Sequence, residues 1–403
     1  MSSGTSGSSS TWPSVSSTSE STARPSIRRS PRIPRRRREP DRRTEGPNLV
    51  IVNQWVPAAH RGDAIGDSAR RVRDMLRGLG HDADVFALTV DDSLRDEIRS
   101  FDDAGATHGD LTVFHYALPS PMTEAFASVS GRRVLQYHNV TPAHFFADYD
   151  PALFRLAVLG RRELATLAGR VDLALGDSDY NRRELEELGF GDTGVLPIAV
   201  DTDRMARLAR QPALERMLDD GLVNILFVGR MVPNKKIEDH IRLAEHYKRY
   251  VDADYRFIFV GRYDAVPRYF AMVRALMTEL KMPADRFWFT GNVPEEDLAT
   301  FYRAASAYVS LSEHEGFCVP LLEAMAADVP VLAYAATAVP ETLGDAGVQF
   351  APKNLEYAAE LLGLLVYDDD LRASVLAGQR ARLADFSDAA MRARLARLIA
   401  RFS

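Results

Sequence analysis

From Asn48 onward, short apolar runs alternate with longer stretches whose apolar residues recur every three or four positions. In the first half the runs are NLVIVN (48–53), ADVFAL (83–88), LTVFHY (111–116), RVLQYH (133–138), VDLALG (171–176) and TGVLPI (193–198). They are almost continuously apolar, the signature of strands buried on both faces of a parallel sheet. Between them lie helical patterns such as SARRVRDMLRGLG (68–80) and DYNRRELEELG (179–189). The second pattern closes on Gly189, a residue type favoured just past a helix end.

The second half repeats the rhythm with VNILFV (223–228), RFIFV (256–260), RFWFT (286–290), SAYVSL (306–311), VPVLAY (329–334) and GVQF (347–350). Helical patterns begin near Lys236, Ala265, Glu295 and Pro320. Strand–helix alternation implies parallel sheets wrapped by helices. One sheet of some twelve strands would be unusually wide, so two doubly wound domains are expected. Their predicted extents are 47–200 and 221–386, joined by the polar connector DTDRMARLARQPALERMLDD (201–220). Ser387 then caps a final helix, 388–402. Two such domains face each other across a cleft at the C-terminal ends of their strands, the usual ligand position in open α/β sheets.

Composition changes this picture only at the N-terminus. Residues 1–46 contain ten arginines against four acids, so the rest of a chain of net charge −6 carries −12. The first 22 residues hold eleven serines and four threonines, and the arginines follow in segments such as RIPRRRREPDRR. Such a composition cannot bury enough apolar surface to offset chain entropy, so 1–46 is read as a disordered tail. It could bind anionic lipid or nucleic acid, act as a targeting peptide, or be dispensable. The folded part, being acidic, gives no charge signal for nucleic-acid binding. Cys318 is the only cysteine, which excludes an intramolecular disulfide and suits a reducing compartment. No apolar run approaches the roughly 18 residues of a membrane span, and no signal peptide is visible.

Three loops at strand ends carry candidate chemistry. HRGDAIGDS (60–68) places Gly62 and Gly66 between a strand and a helix, where backbone can approach an anionic ligand. It matches neither the dinucleotide fingerprint nor the Walker pattern. GRMVPNKK (229–236) places Gly229 and Arg230 at a strand end and Lys235 and Lys236 at a helix start, where cations oppose the dipole unless an anion binds. In EHEGFCVPLLEAMA (313–326), Pro320 suits a first helical turn. The N–H groups around Phe317, Cys318 and Val319 then form an anion site, with Glu315 and Glu323 on either side to accept hydrogen bonds from hydroxyls. Solvated surface charges and a dipole-complementing Glu323 are the plainer readings of the same residues.

The segment EGFCVPLLE, with VGRMVPNKK, TGNVPEEDLATFYRAASAYVS and EAMAADVPVLA in this order, resembles the family 4 retaining glycosyltransferases of the GT-B fold. The likeness spans essentially 47–402 and is strongest over 222–350. It implies that the segment 387–403 crosses back onto the N-terminal domain, that the N-terminal domain takes the acceptor, and that the C-terminal domain takes the nucleotide sugar. Arg230 and Lys235 would bind the donor diphosphate, with Lys236 as the alternative in the double-lysine register. Glu323 would hold the ribose and Glu315 the donor-sugar hydroxyls. The turn Gly316, Phe317, Cys318 and Val319 would meet phosphate or sugar, and Val293 would lie near the base. Gly229 shapes its loop, and Gly62 to Gly66 would cover the donor phosphates. His138 would sit near the reacting centre, so Glu315, His138, Arg230 and Lys235 are the expected catalytic set.

The implied reaction moves a sugar from a UDP- or GDP-sugar to an acceptor hydroxyl with retention, needing no cofactor and no metal. The short motifs DAD (twice), DSD and DTD look like chance in an Asp-rich chain. A GT-B-fold epimerase or hydrolase, and an inactive GT-B-like binding protein, remain alternatives. The acceptor is unassigned among glycan, lipid-linked, protein and small-molecule classes. Its walls are expected near 115–122 and 138–146. A cytoplasmic location is expected. Peripheral contact with the membrane face is a further expectation, resting on Arg70, Arg71, Arg73 and Arg77 of one helix.

Overall fold

The computed structural model describes residues 49–402. The expected disordered tail, 1–46, lies outside the described residues. Thirteen strands form two sheets among the described residues. The first contains β1 (Ile51–Ala59), β2 (Asp82–Val90), β3 (Arg99–Ser100), β4 (Leu111–Tyr116), β5 (Arg132–Tyr137), β6 (Leu173–Gly176) and β7 (Thr193–Val195). The second contains β8 (Val223–Val228), β9 (Tyr255–Val260), β10 (Phe287–Gly291), β11 (Ala307–Ser310), β12 (Val331–Tyr334) and β13 (Val348–Phe350).

The spatial orders are β3-β2-β1-β4-β5-β6-β7 and β10-β9-β8-β11-β12-β13. Every strand pairing within them is parallel, as the continuous apolar runs predict. All six residues of β4 and all six of β9 are buried, because helices cover both faces. In each sheet the order reverses at one point, between β1 and β4 and between β8 and β11. Ligands of doubly wound sheets bind outside the strand ends at this switch point. The loops that leave β1, β8 and β11 are the three singled out in the sequence.

The helix Asp388–Ala400 starts at Ser387, whose hydroxyl accepts from the N–H of Ala390 at 3.3 Å. Its buried residues Met391, Leu395 and Ile399 join Val50, Val72, Met75 and Leu76 of the first half in one apolar cluster. The chain end therefore packs against the helix Ala64–Gly78, where Arg392 also donates to the Met75 carbonyl. The connector is not featureless: it carries the short helices Arg204–Arg207 and Pro212–Leu218. The two-residue edge strand β3 is too short to leave a periodic signal in the sequence.

Candidate functional site

A cleft of about 690 Å³ opens between the two sheets at their C-terminal edges. It is lined from the first half by Gly62 and Asp67, from the connector by Arg204, and from the second half by Arg230, Val293 and Glu323, among others. Of the residues singled out in the sequence, Gly62, Gly229, Arg230, Val293, Val319 and Glu323 line this cleft.

The loop after β8 explains the first group. Gly229 has φ of +149°, a conformation open to glycine, and the loop turns there so that Arg230 projects into the cleft. The other arginines lining the cleft are engaged. Arg61 donates to Ser93, and Arg70 binds Asp67 and Glu97. Arg71 binds Asp388, and Arg262 binds Asp264 at 3.0 Å. Arg204 lies 3.8–3.9 Å from the carboxylates of Asp67, Glu295 and Glu323. Arg230 is exposed and, among the described residues, makes neither an ion pair nor a side-chain hydrogen bond.

The helix Val319–Ala326 supplies the second element. Cys318 is its N-cap and adopts a left-handed conformation, φ 73° and ψ 66°. Its side chain makes no capping hydrogen bond. The backbone N–H groups of Gly316, Phe317, Cys318 and Val319 have no hydrogen-bond partner among the described residues. A helix start with free N–H groups favours an anion. Phe317 itself turns inward: it is buried and packs against Phe386 at 5.7 Å. Cys318 is also buried, and burial pushes its thiol well above the usual range, so it contributes backbone and packing only.

Glu323 sits one turn into that helix. It accepts from the Tyr302 hydroxyl at 2.9 Å, while Arg204 approaches its other oxygen. Burial pushes its carboxyl above the usual range, against the pull of Arg204 and the Tyr302 hydroxyl. It can accept hydrogen bonds from a ligand's hydroxyl pair at the cleft wall.

Glu315, Lys235, His138 and Gly316 lie at a seam where the two halves touch. Lys235 Nζ lies 2.5 Å from both carboxylate oxygens of Glu315. Gly316 is pressed against the first half: a Cβ there would stand 2.7 Å from Cβ of Asn139 and 3.0 Å from the His138 carbonyl. Across the same seam His314 Nε2 meets Asn139 Oδ1 at 2.6 Å, and the Ser178 hydroxyl donates to the Gly316 carbonyl at 2.8 Å. Burial pushes the His314 ring down to about 3, with Arg161, Lys235 and His144 adding to the effect, so it is neutral and donates from Nε2.

Three expectations need correction. Gly66 is not in the loop after β1. It lies in the first turn of the helix Ala64–Gly78, buried, and Asp63 already accepts its N–H at 3.0 Å. Asp63 is a good N-cap residue, so the helix begins earlier than the pattern suggested. Lys236 is not in the cleft. It takes a left-handed conformation ahead of the helix Ile237–Tyr250 and turns to Glu238 at 3.0 Å and Glu313 at 3.6 Å. The basic helix offered for membrane contact has no free cationic face. Arg70 and Arg71 are engaged as described, Arg73 pairs with Asp74 and Arg77 with Asp84. Among the described residues no helix is long and apolar enough to cross a membrane.

The His138 ring is 2% exposed and does not face the cleft. Glu295, Asp67 and Arg204 line the cleft without having been singled out. Glu295 stands two residues after Val293 and could have been read from that adjacency. Arg204 carries no signal in sequence, because only the fold brings the connector to the cleft. Of the expected acceptor walls, Phe145 comes within 6.2 Å of the His314 ring, and the Ser120 N–H donates to Glu163 at 3.1 Å.

Residues 217–382 match the family described as glycosyl transferases group 1. The chain is 31% identical over 299 residues to a GDP-mannose-dependent alpha-mannosyltransferase of Mycobacterium tuberculosis (strain CDC 1551 / Oshkosh), covering 72% of this chain and 71% of that protein. It is 33% identical over 313 residues to a protein of the same name from Mycolicibacterium smegmatis, covering 70% and 78%. It also matches the O-antigen chain mannosyltransferase B of Escherichia coli, 37% identical over 99 residues, but that match spans only 26% of that protein. Among solved structures, HepE from Anabaena in complex with UDP and glucose superposes with a TM-score of 0.67 at 16% identity, covering 87% of this chain and all of that one. The chain belongs to the group 1 glycosyl transferases and has their GT-B fold.

Proposed function

We propose that the protein transfers a sugar from a nucleotide diphosphate donor to an acceptor hydroxyl, and that the donor is GDP-mannose. The observation that carries the donor site is Arg230, the one cleft-lining arginine without a partner among the described residues, beside a helix start whose N–H groups are also unengaged among them. A diphosphate satisfies both, since Arg offers a planar fork and the helix start offers convergent N–H groups. The names of the two mycobacterial relatives support guanine and mannose. Glu295 supports guanine independently. Its carboxylate lines the cleft near Val293, and it can accept two parallel hydrogen bonds from the N1–H and 2-amino group of that base.

In this reading the ribose hydroxyls bind Glu323, and the diphosphate lies along Arg230 toward Val319. The sugar reaches the seam at Glu315 and Lys235. The main barrier is departure of the diphosphate as positive charge grows on the sugar. Arg230, Lys235 and the helix start stabilise the leaving charge where it develops. Retention, with a donor phosphate oxygen taking the acceptor's proton, and independence of metal ions are parts of the same proposal.

The test is turnover of GDP-mannose by the full-length protein, read as GDP release with and without candidate hydroxyl acceptors. Acceptor-dependent release, with the product's anomeric configuration unchanged by NMR, supports the reading. Release of free mannose regardless of acceptor would favour a hydrolase, and turnover of a UDP-sugar alone would overturn the assignment of the base.

A further inference from the structure

Beneath the seam, four side chains form one buried line. Asp177 Oδ2 lies 2.8 Å from His138 Nδ1, His138 Nε2 lies 2.9 Å from His115 Nδ1, and His115 Nε2 lies 3.1 Å from Gln54 Oε1. Gln54, His115 and Asp177 are at most 1% exposed, and the His138 side chain 2%. Both ends of the line are acceptors. The Gln54 amide is fixed because its nitrogen donates to the Ala69 carbonyl at 2.9 Å, so its oxygen must face His115. A flipped amide would set two oxygens against each other there. Asp177 also accepts from the Gln136 amide at 3.2 Å through its other oxygen, Oδ1.

Each of the three contacts needs one proton between its two atoms. Two neutral imidazoles supply one N–H each, so a third proton is required. With His115 donating to Gln54 from Nε2, its Nδ1 must accept. His138 must then donate both to His115 and to Asp177. We propose that His138 carries both ring protons, as an imidazolium paired with the Asp177 carboxylate, and serves as a positioning cation rather than as an acid or base. His115, whose burial and whose cationic neighbour both hold it in the neutral form, is the acceptor that completes the arrangement. No other charged side chain makes an ion pair or hydrogen bond with the two rings or with Asp177 among the described residues.

The pair joins the ends of two neighbouring strands: His138 follows β5 and Asp177 follows β6. Both ends touch the same turn. The His138 carbonyl lies against Gly316, and Ser178, next to Asp177, donates to the Gly316 carbonyl. The ion pair thus fixes the cradle that holds the Gly316 turn, and with it Glu315. That Glu315 meets the donor sugar rests on the proposed function; the proton count does not.

The experiment is 15N NMR of the full-length protein with labelled histidine, alongside His138→Gln. One buried histidine should show protons on both ring nitrogens in slow exchange with water, and the variant should lose that signal alone. A His138 with a single ring proton would overturn the proposal and leave the transferase reading untouched. In parallel, His138→Gln should raise the KM for the nucleotide sugar about tenfold while leaving the Kd for the bare nucleotide unchanged, the loss of one charged hydrogen bond acting on the sugar end alone. Unchanged KM in that variant would overturn the positioning role even with both protons present.

Discussion

Lys235 and Glu315 meet across 2.5 Å at both carboxylate oxygens, in a seam where the Glu315 side chain is 8% exposed and Lys235 21%. The two residues expected to act on different parts of the donor are therefore partners of each other. Removing one member leaves a buried charge alone. Lys235→Ala should lower stability by about 3 kcal/mol, the usual cost of orphaning a charge in a buried pair. The double variant Lys235→Met with Glu315→Gln should recover most of that loss. Urea unfolding of the three proteins checks this; equal losses in single and double variants would mean that the pair is not coupled.

Arg230 presents the opposite case. It is exposed and holds no side chain among the described residues, so Arg230→Ala should change stability by less than about 0.5 kcal/mol. If its guanidinium binds the donor diphosphate, the same change should weaken nucleotide binding by about ten- to a hundredfold, as expected for losing a charge-assisted hydrogen bond. Isothermal titration with GDP beside a melting curve separates the two effects.

Acid should destabilise the fold through its buried histidines. Burial holds His240 down at about 4 and His314 at about 3, so both remain neutral in the folded state after they would protonate in the unfolded chain. Between about pH 6.5, the ordinary histidine value, and pH 4 the unfolded state binds more protons, and stability must fall as pH falls through that window. Glu323 and Glu184 work the other way, because burial raises their carboxyls and they bind a proton more readily when folded, but burial holds His115 down as well, so two groups stand against three. Melting temperature measured from pH 7.5 to 4.5 should decline below 6.5, and His314→Gln should flatten part of the slope.

Glu341 of the second half accepts backbone N–H groups from the start of the first-half helix Asp179–Glu187. Asp179 donates at 2.5 and 2.7 Å to its two oxygens, and Tyr180 at 3.4 Å. A carboxylate at a helix N-terminus is favourable, and here it comes from the other domain. Glu341→Ala should free this latch and shift the unliganded protein toward a more open form, seen as a larger radius of gyration in small-angle scattering. Identical scattering curves for the two proteins would show that the latch does not hold the halves together.

The fold was readable where burial is complete. β4 and β8 begin and end at the residues the apolar runs predict, because a strand covered on both faces leaves a near-continuous apolar run in the sequence. The strand ends LPI (196–198) and the edge strand β3 were not readable, since edges are set by pairing and not by periodicity. The cleft was readable as far as its residues lie in short motifs: Arg230 is in the turn after β8, and Glu323 is in the helix that follows the turn after β11. Arg204 was hidden because its role depends on where the connector runs. The engagement of Lys236 by Glu238 and Glu313 was hidden for a different reason. The backbone at that lysine is left-handed, φ 54°, a conformation that periodicity does not signal.

The most direct test of a nucleotide-sugar site at Arg230 is the melting temperature of the full-length protein with GDP and with UDP, for the wild type and for Arg230→Ala. At about a hundred times the dissociation constant a ligand adds about 2.7 kcal/mol to stability. The account predicts a clear upward shift of the wild type with GDP, a smaller one with UDP, and loss of the GDP shift in Arg230→Ala. A wild type that neither nucleotide stabilises at millimolar concentration, or a GDP shift that survives intact in Arg230→Ala, would contradict it.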